Sequence, residues 1–181
     1  MIQIYSYGIQ GGIPYFAMEY VDGEDLSARM KRGPIPIKEV VGISKAVAGA
    51  LDCAFEKRMI HRDIKPSNIM ISKKGVVKVM DFGLARATSA ASQLTQQGLV
   101  MGTPAYMAPE QGKGLKDIDA RADMYSLGIV MYKMLTGEVP FTADTPTAVI
   151  FRHIYEKPKP VREVNPKVPP QLEKIVMKLL E

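Results

Sequence analysis

The stretch from His61 to Asp81 constrains the fold more than any other part of the chain. Ile69-Met70-Ile71 and Val76 to Val79 are two short β-rich runs, and Lys73-Lys74-Gly75 between them reads as the turn of a tight hairpin. Asp63 and Asn68 stand just ahead of the first strand, and Asp81 stands just after the second. An antiparallel hairpin brings those two ends together. A carboxylate, an amide oxygen and a second carboxylate therefore converge at one sheet edge. Hard oxygen donors with few fixed partners suit Mg²⁺, which keeps several waters and completes its shell with substrate phosphates.

The rest of the chain is mostly helical. Ile2, Ile4 and then Tyr15-Phe16-Ala17-Met18 read as two strands joined at Gly11-Gly12, with Asp22-Gly23 ending the second. Leu26 to Met30 is a short helical piece closed by Gly33-Pro34. Pro36 stands where a helix begins. Val40, Ile43, Val47, Ala50 and Ala54 then recur at spacings of three and four, one buried face of a long helix ending near Phe55. Arg86 to Gly102 is polar and irregular and reads as a mobile surface loop. Ala122 to Leu135 is apolar on nearly every face, which predicts a buried helix. Pro158 to Pro170 carries five prolines and predicts an extended connection. An amphipathic helix is expected over Leu172 to Leu180.

Composition removes several classes of function. Among 181 residues, 46% are hydrophobic, enough for a core and too many for a disordered chain. The net charge of +5 is spread out, densest at Lys31-Arg32, Lys73-Lys74 and Lys157 to Lys159. No basic run is interleaved with aromatics, as single-strand binding requires, so no nucleic acid partner is expected. The single cysteine, Cys53, excludes an internal disulfide and sits in an apolar pattern that predicts a small core residue. The longest apolar run, Leu127 to Leu135, is short and broken by Lys133, so no membrane segment is expected. No basic start leads into an apolar stretch, and a cytoplasmic chain is the expectation.

His61-Arg62-Asp63 through Asn68 resembles the catalytic loop of protein kinases, H-R-D-x-x-x-x-N. Asp81-Phe82-Gly83 resembles their metal-binding triplet, and Ala108-Pro109-Glu110 the motif that closes their activation segment. Each triplet alone is common. All three in order, with a hairpin between the first two, are specific. Lys65-Pro66 and Gly102-Thr103-Pro104-Ala105-Tyr106 are similar to the Ser/Thr branch, and the wording from Gly102 to Gln111 is similar to bacterial members.

The resemblance implies a protein-kinase-like α+β fold: a mainly α-helical C-lobe with a short strand pair and a catalytic β-hairpin, the N-lobe largely absent. Residues 1–21 would be the last N-lobe strands and the hinge, and 22–181 a C-lobe truncated before its final helices. It also implies transfer of the ATP γ-phosphate to Ser/Thr hydroxyls of protein substrates. Asp63 would accept the substrate proton, Lys65 would steady the γ-phosphate, and Asn68 and Asp81 would hold Mg²⁺. Thr103 would hydrogen-bond near Asp63 and shape the substrate groove. Met18-Glu19-Tyr20-Val21 resembles the hinge, with Met18 as gatekeeper and the backbones of Glu19 and Val21 on adenine. Asp25 would reach the ribose. His61 is implied to be a packing residue with Phe82, and Asp123 a structural acid that ties down the catalytic loop. Arg62 is implied to pair with a phosphorylated residue, with Thr88, Ser89, Ser92 and Thr95 as candidates and Thr95 preferred.

The pattern departs from the family at both ends. No G-x-G-x-x-G spacing and no lysine precede Met18, and no arginine is found to pair with Glu110. The chain alone is therefore expected to be an inactive fragment that binds ATP weakly, and saturable micromolar binding by calorimetry would contradict this. Its uncovered strands are also expected to make it sticky. A sharp, reversible melt of a monomer is the contrary result. The alternative reading is a non-catalytic kinase-like module that binds proteins through its groove.

Overall fold

The computed structural model describes residues 1–82 and 103–181. Gly83, the 86–102 loop, Gly102 and the four candidate phosphosites lie outside the described residues.

Strands β1 (Ile4–Gln10) and β2 (Ile13–Met18) form an antiparallel hairpin in which Gln10 faces Ile13. Its two turn residues, Gly11 and Gly12, have φ of 58° and 82°. Two successive positive φ values match the twist of a two-residue hairpin loop, and glycine reaches them without strain. The hairpin is apolar in composition yet exposed on both faces: Tyr7, Ile9 and Ile13 are 80%, 75% and 71% exposed. It meets the remainder through the Ile2 N–H, which donates to Val79 O at 3.0 Å, and through an ion pair between Glu19 and Lys78.

Asp22-Gly23 does not end the second strand. β2 stops at Met18, and Gly23 opens a third strand, β3 (Gly23–Asp25), paired antiparallel with β4 (Ile69–Ser72). The reason for glycine here is proximity. A Cβ on Gly23 would lie 2.0 Å from Ile71 O, so only glycine lets the strands approach this closely. The expected hairpin follows, with β4 paired to β5 (Val77–Val79) in the sheet order β3-β4-β5.

Helix α1 (Leu26–Lys31) is capped by Asp25, whose Oδ1 accepts from the Ala28 N–H at 2.9 Å. Helix α2 (Ile37–Glu56) buries Val40, Ile43, Val47, Leu51 and Ala54. Cys53, expected in that core, is exposed. It lies two residues past Leu51, about 200° around a helix of 3.6 residues per turn, and so faces away from the stripe. Helices α3 (Pro109–Gly112), α4 (Ala120–Thr136), α5 (Pro146–Tyr155), α6 (Val161–Val164) and α7 (Pro170–Leu179) complete the fold. Short 3₁₀ turns span Pro66–Asn68 and Pro104–Tyr106. The proline-rich connection is not wholly extended. Pro160 caps α6, and Pro169-Pro170 starts α7 two residues before Leu172, because proline fits a helix start, where its missing N–H has no partner to lose.

α4 is the central element, buried from Ala122 to Leu135 on almost all sides and flanked by α2 and α7. Leu127, Ile129 and Val130 share one core with Val40 and Val47 of α2, Val176 of α7, and Ile64 and Ile69 beside the hairpin. Each such buried aliphatic side chain contributes about 2 kcal/mol.

On its other side α4 meets α5 through His153, which is 5% exposed. Its Nδ1 lies 2.8 Å from the Tyr125 hydroxyl, its ring sits edge-on to Phe141, and its Nε2 is buried without a hydrogen-bond partner. Burial lowers the His153 pKa from 6.5 to about 4, and the nearby Ala105 backbone offsets this only in part. Between those values the unfolded chain binds the proton that the folded chain refuses. The stabilisation, roughly 3 kcal/mol, is thus full above the unfolded pKa and is lost as pH falls toward the folded one. Urea unfolding between about pH 5 and pH 7 should show this slope, and His153→Gln should flatten it. An equally steep loss in the variant assigns the slope to another group.

Candidate active site

The loop from His61 to Lys65 is fixed to the core before any substrate arrives. The backbone N–H groups of His61 and Arg62 donate to Asp123 Oδ2 and Oδ1, each at 2.7 Å. Asp123 projects from the first turn of α4 and is 3% exposed. Burial pushes its carboxyl above the ordinary carboxylate value, and the two N–H bonds oppose that shift. His61 is fully buried. Its Nε2 donates to Met80 O at 2.6 Å, leaving Nδ1 to accept the Asp63 N–H at 3.3 Å. Its ring stands edge-on to Phe82, with centroids 4.6 Å apart. His61 and Phe82 are packing partners, as the resemblance implied.

Asp63 follows this anchored pair. Asn68 Nδ2 donates to Asp63 O at 2.8 Å and to Asp63 Oδ2 at 3.1 Å. Lys65 Nζ lies 2.7 Å from the same Oδ2. The short turn Pro66–Asn68 makes this closure, and Asn68 O then accepts the Met80 N–H at 2.9 Å. That bond sets the exit of β5 beside Asn68, so Asp81 emerges at the edge where Asp63 and Asn68 already stand. The two ends of the hairpin meet, as expected, through this Asn68–Met80 backbone bond. Among the described residues no group of three or more His, Cys, Asp or Glu side chains is placed to hold a metal. The available donors are instead the Asn68 amide oxygen and the Asp81 carboxylate. With its Nδ2 committed to Asp63, Asn68 offers the oxygen, which fits a hard cation that draws its other ligands from water and phosphate.

Met18 lies at the end of β2 and lines a hollow of about 30 Å³ with Ile2, Ile4, Phe16, Val79, Asp81 and Phe82. Of the expected hinge residues, Met18 shares this hollow with Asp81. Its volume is about an order of magnitude below that of a cofactor site. The Glu19 carboxylate is held below its usual pKa by its hydrogen bond to Lys78. Asp25 spends Oδ1 on capping α1. Thr103 is exposed at the start of its turn, and no bond joins it to Asp63 among the described residues.

Two residues of the site escaped the sequence reading. Lys78 ties β5 to Glu19, and its only signal is a charge alternating with Val77 and Val79. Gln111 is the other. Its Nε2 donates to Arg62 O at 2.9 Å and its Oε1 accepts from the Ala108 N–H at 3.1 Å. Its separation from Arg62 in sequence leaves no local pattern to read.

The protein kinase domain profile matches residues 1–181. The chain belongs to the protein kinase family. It is 42% identical to a probable serine/threonine-protein kinase of Clostridium perfringens over 182 residues, covering all of this chain and 26% of that protein. It is 45% identical to the serine/threonine-protein kinase PknB of Mycolicibacterium smegmatis over 172 residues, covering 94% of this chain and 27% of the relative. Against PknB of Mycobacterium tuberculosis the identity is 43% over 172 residues, with the same coverage. The chain therefore spans about a quarter of the length of these curated relatives.

The loop from His61 to Lys65 has the buried acid Asp123 beneath it. Asp123→Ala strands two buried N–H groups and should cost about 3 kcal/mol in urea unfolding, with Asp123→Asn falling between the two. Equal stability of Asp123→Ala and the parent is the result that removes this anchor.

Proposed function

We propose that the chain supplies the catalytic part of a protein serine/threonine kinase, which transfers the γ-phosphoryl group of ATP to Ser or Thr hydroxyls of protein substrates. The observation that carries this reading is the closure of Asn68 and Lys65 on Asp63, at the edge from which Asp81 emerges. Asp63 is the acceptor for the substrate hydroxyl proton, and its orientation is set by Asn68. Lys65 provides positive charge beside it, suited to the γ-phosphate. Asn68 and Asp81 are the residues that would hold Mg²⁺. When bound, the ion neutralises charge on the phosphates and positions them for in-line transfer.

At the other end of the site, Met18 and the backbones of Glu19 and Val21 are assigned to adenine. The free oxygen of Asp25 is assigned to the ribose, and Thr103 to the substrate groove. Thr95 is the favoured activating phosphosite, with Arg62 as its partner. No nucleic acid is needed by this chemistry. No helix among the described residues is long and apolar enough to cross a membrane. A cytoplasmic location for these residues agrees with the need for ATP.

The test is phosphate transfer from labelled ATP to a generic protein substrate, by the protein expressed from its natural gene. Asp63→Asn should lower kcat by about a hundredfold or more, and chelation of Mg²⁺ should abolish transfer. Transfer that is indifferent to Asp63→Asn overturns the assignment. Complete absence of transfer alongside tight binding of a protein partner favours the non-catalytic module.

A further inference from the structure

We propose that Gln111 is a positioning residue for Asp63, acting through the peptide that joins Arg62 to Asp63. This rests on the phosphoryl-transfer reading given above.

Arg62 has φ of 67°, in the left-handed region that a long side chain rarely adopts. Such a conformation persists only where the surroundings over-determine it. Here the backbone of Arg62 is held from both sides. Its N–H donates to Asp123 Oδ1 at 2.7 Å, and its C=O accepts from Gln111 Nε2 at 2.9 Å. The Arg62 carbonyl and the Asp63 N–H belong to one planar peptide unit. A donor that fixes the oxygen therefore fixes the direction in which the Asp63 N–H points, and that N–H meets His61 Nδ1. Asp123 grips the two preceding peptides, through the His61 and Arg62 N–H groups, and not this one. Among the described residues, the Arg62–Asp63 plane without Gln111 keeps one bond, the longer one of 3.3 Å to His61.

Gln111 has a second hold. Its Oε1 accepts the Ala108 N–H, so one side chain bridges the catalytic loop and the segment running from Thr103 to Ala108. That segment is fastened to α4 by Ser126 Oγ, which donates to Tyr106 O at 2.7 Å, and by Lys133 Nζ on the Tyr106 hydroxyl at 3.1 Å. The orientation of Asp63 is thereby coupled to whether this segment is seated.

Two variants separate positioning from simple helix capping. Gln111→Glu keeps an acceptor for the Ala108 N–H but sets a carboxylate oxygen against the Arg62 carbonyl. Gln111→Met keeps the length and loses both bonds. Positioning predicts that each lowers kcat on the order of tenfold or more while KM for ATP changes less than about threefold, since Gln111 is not among the residues assigned to the nucleotide. It also predicts faster hydrogen exchange at the Asp63 amide in both variants, measured on the full natural protein. If Gln111→Glu retains parental kcat and exchange while Gln111→Met loses them, Gln111 is a cap alone and the proposal fails. If the parent transfers no phosphate, the functional reading fails, and the exchange of Asp63 in Gln111→Glu still decides whether the clamp exists.

Discussion

The arrangement of this site depends on one buried carboxylate. Asp123 accepts from two successive backbone N–H groups, those of His61 and Arg62, at a position almost closed to water. Both partners benefit. Two buried donors that would otherwise lack acceptors are satisfied, and the acid finds the partners its desolvation demands. Because Asp123 belongs to the most deeply buried helix, the loop takes its position from the core rather than from its own conformational preferences. The positive φ of Arg62 follows from that constraint. A free loop would relax out of it, whereas this one is fastened to side chains from two other elements.

The hairpin performs the complementary task. Asn68 is both the last residue before β4 and the donor that turns toward Asp63. Through its carbonyl it also pairs with Met80, so one residue registers the loop from His61 to Lys65 against the exit of β5. The Lys65 ammonium sits at the same carboxylate and balances its charge. The resulting cluster is small and held by its own hydrogen bonds and ion pair. Positioning of this kind is most of what phosphoryl transfer asks of an enzyme.

Features held by local chemistry were legible in the sequence. Gly11-Gly12 marks a turn because its φ values demand glycine, the apolar stretch Ala122 to Leu135 marks a buried helix, and the hairpin between Asn68 and Asp81 follows from its β-rich runs and turn. Features that depend on distant partners were not legible. Gly23 reads as a strand end, yet it is needed because Ile71 O passes beside it. Cys53 reads as core because its neighbours are apolar, but the helical phase places it outside. Proline reads as a breaker between Pro158 and Pro170, though at helix starts it serves as an initiator. Gln111 closes a run similar to bacterial members, yet nothing in that run shows its contact, which is with a carbonyl far away in the chain.

The two ends of the site are held by unequal means, and this bears on how the chain would meet its ligands. The Asp63 end is fastened by hydrogen bonds among His61, Arg62, Asp123 and Met80, of which the one from the His61 N–H to Asp123 is buried and the others are partly buried, where a lowered dielectric strengthens them. The hinge end is fastened by the Glu19–Lys78 ion pair and the backbone bond from Ile2 to Val79, both close to water. An ion pair in that setting is screened and contributes little to rigidity. Beyond it, Tyr7, Ile9 and Ile13 make no compensating core. Orientation of Asp63 is therefore a property of the described residues themselves. The geometry of Met18 to Val21 rests on these fewer bonds, which lie nearer to water.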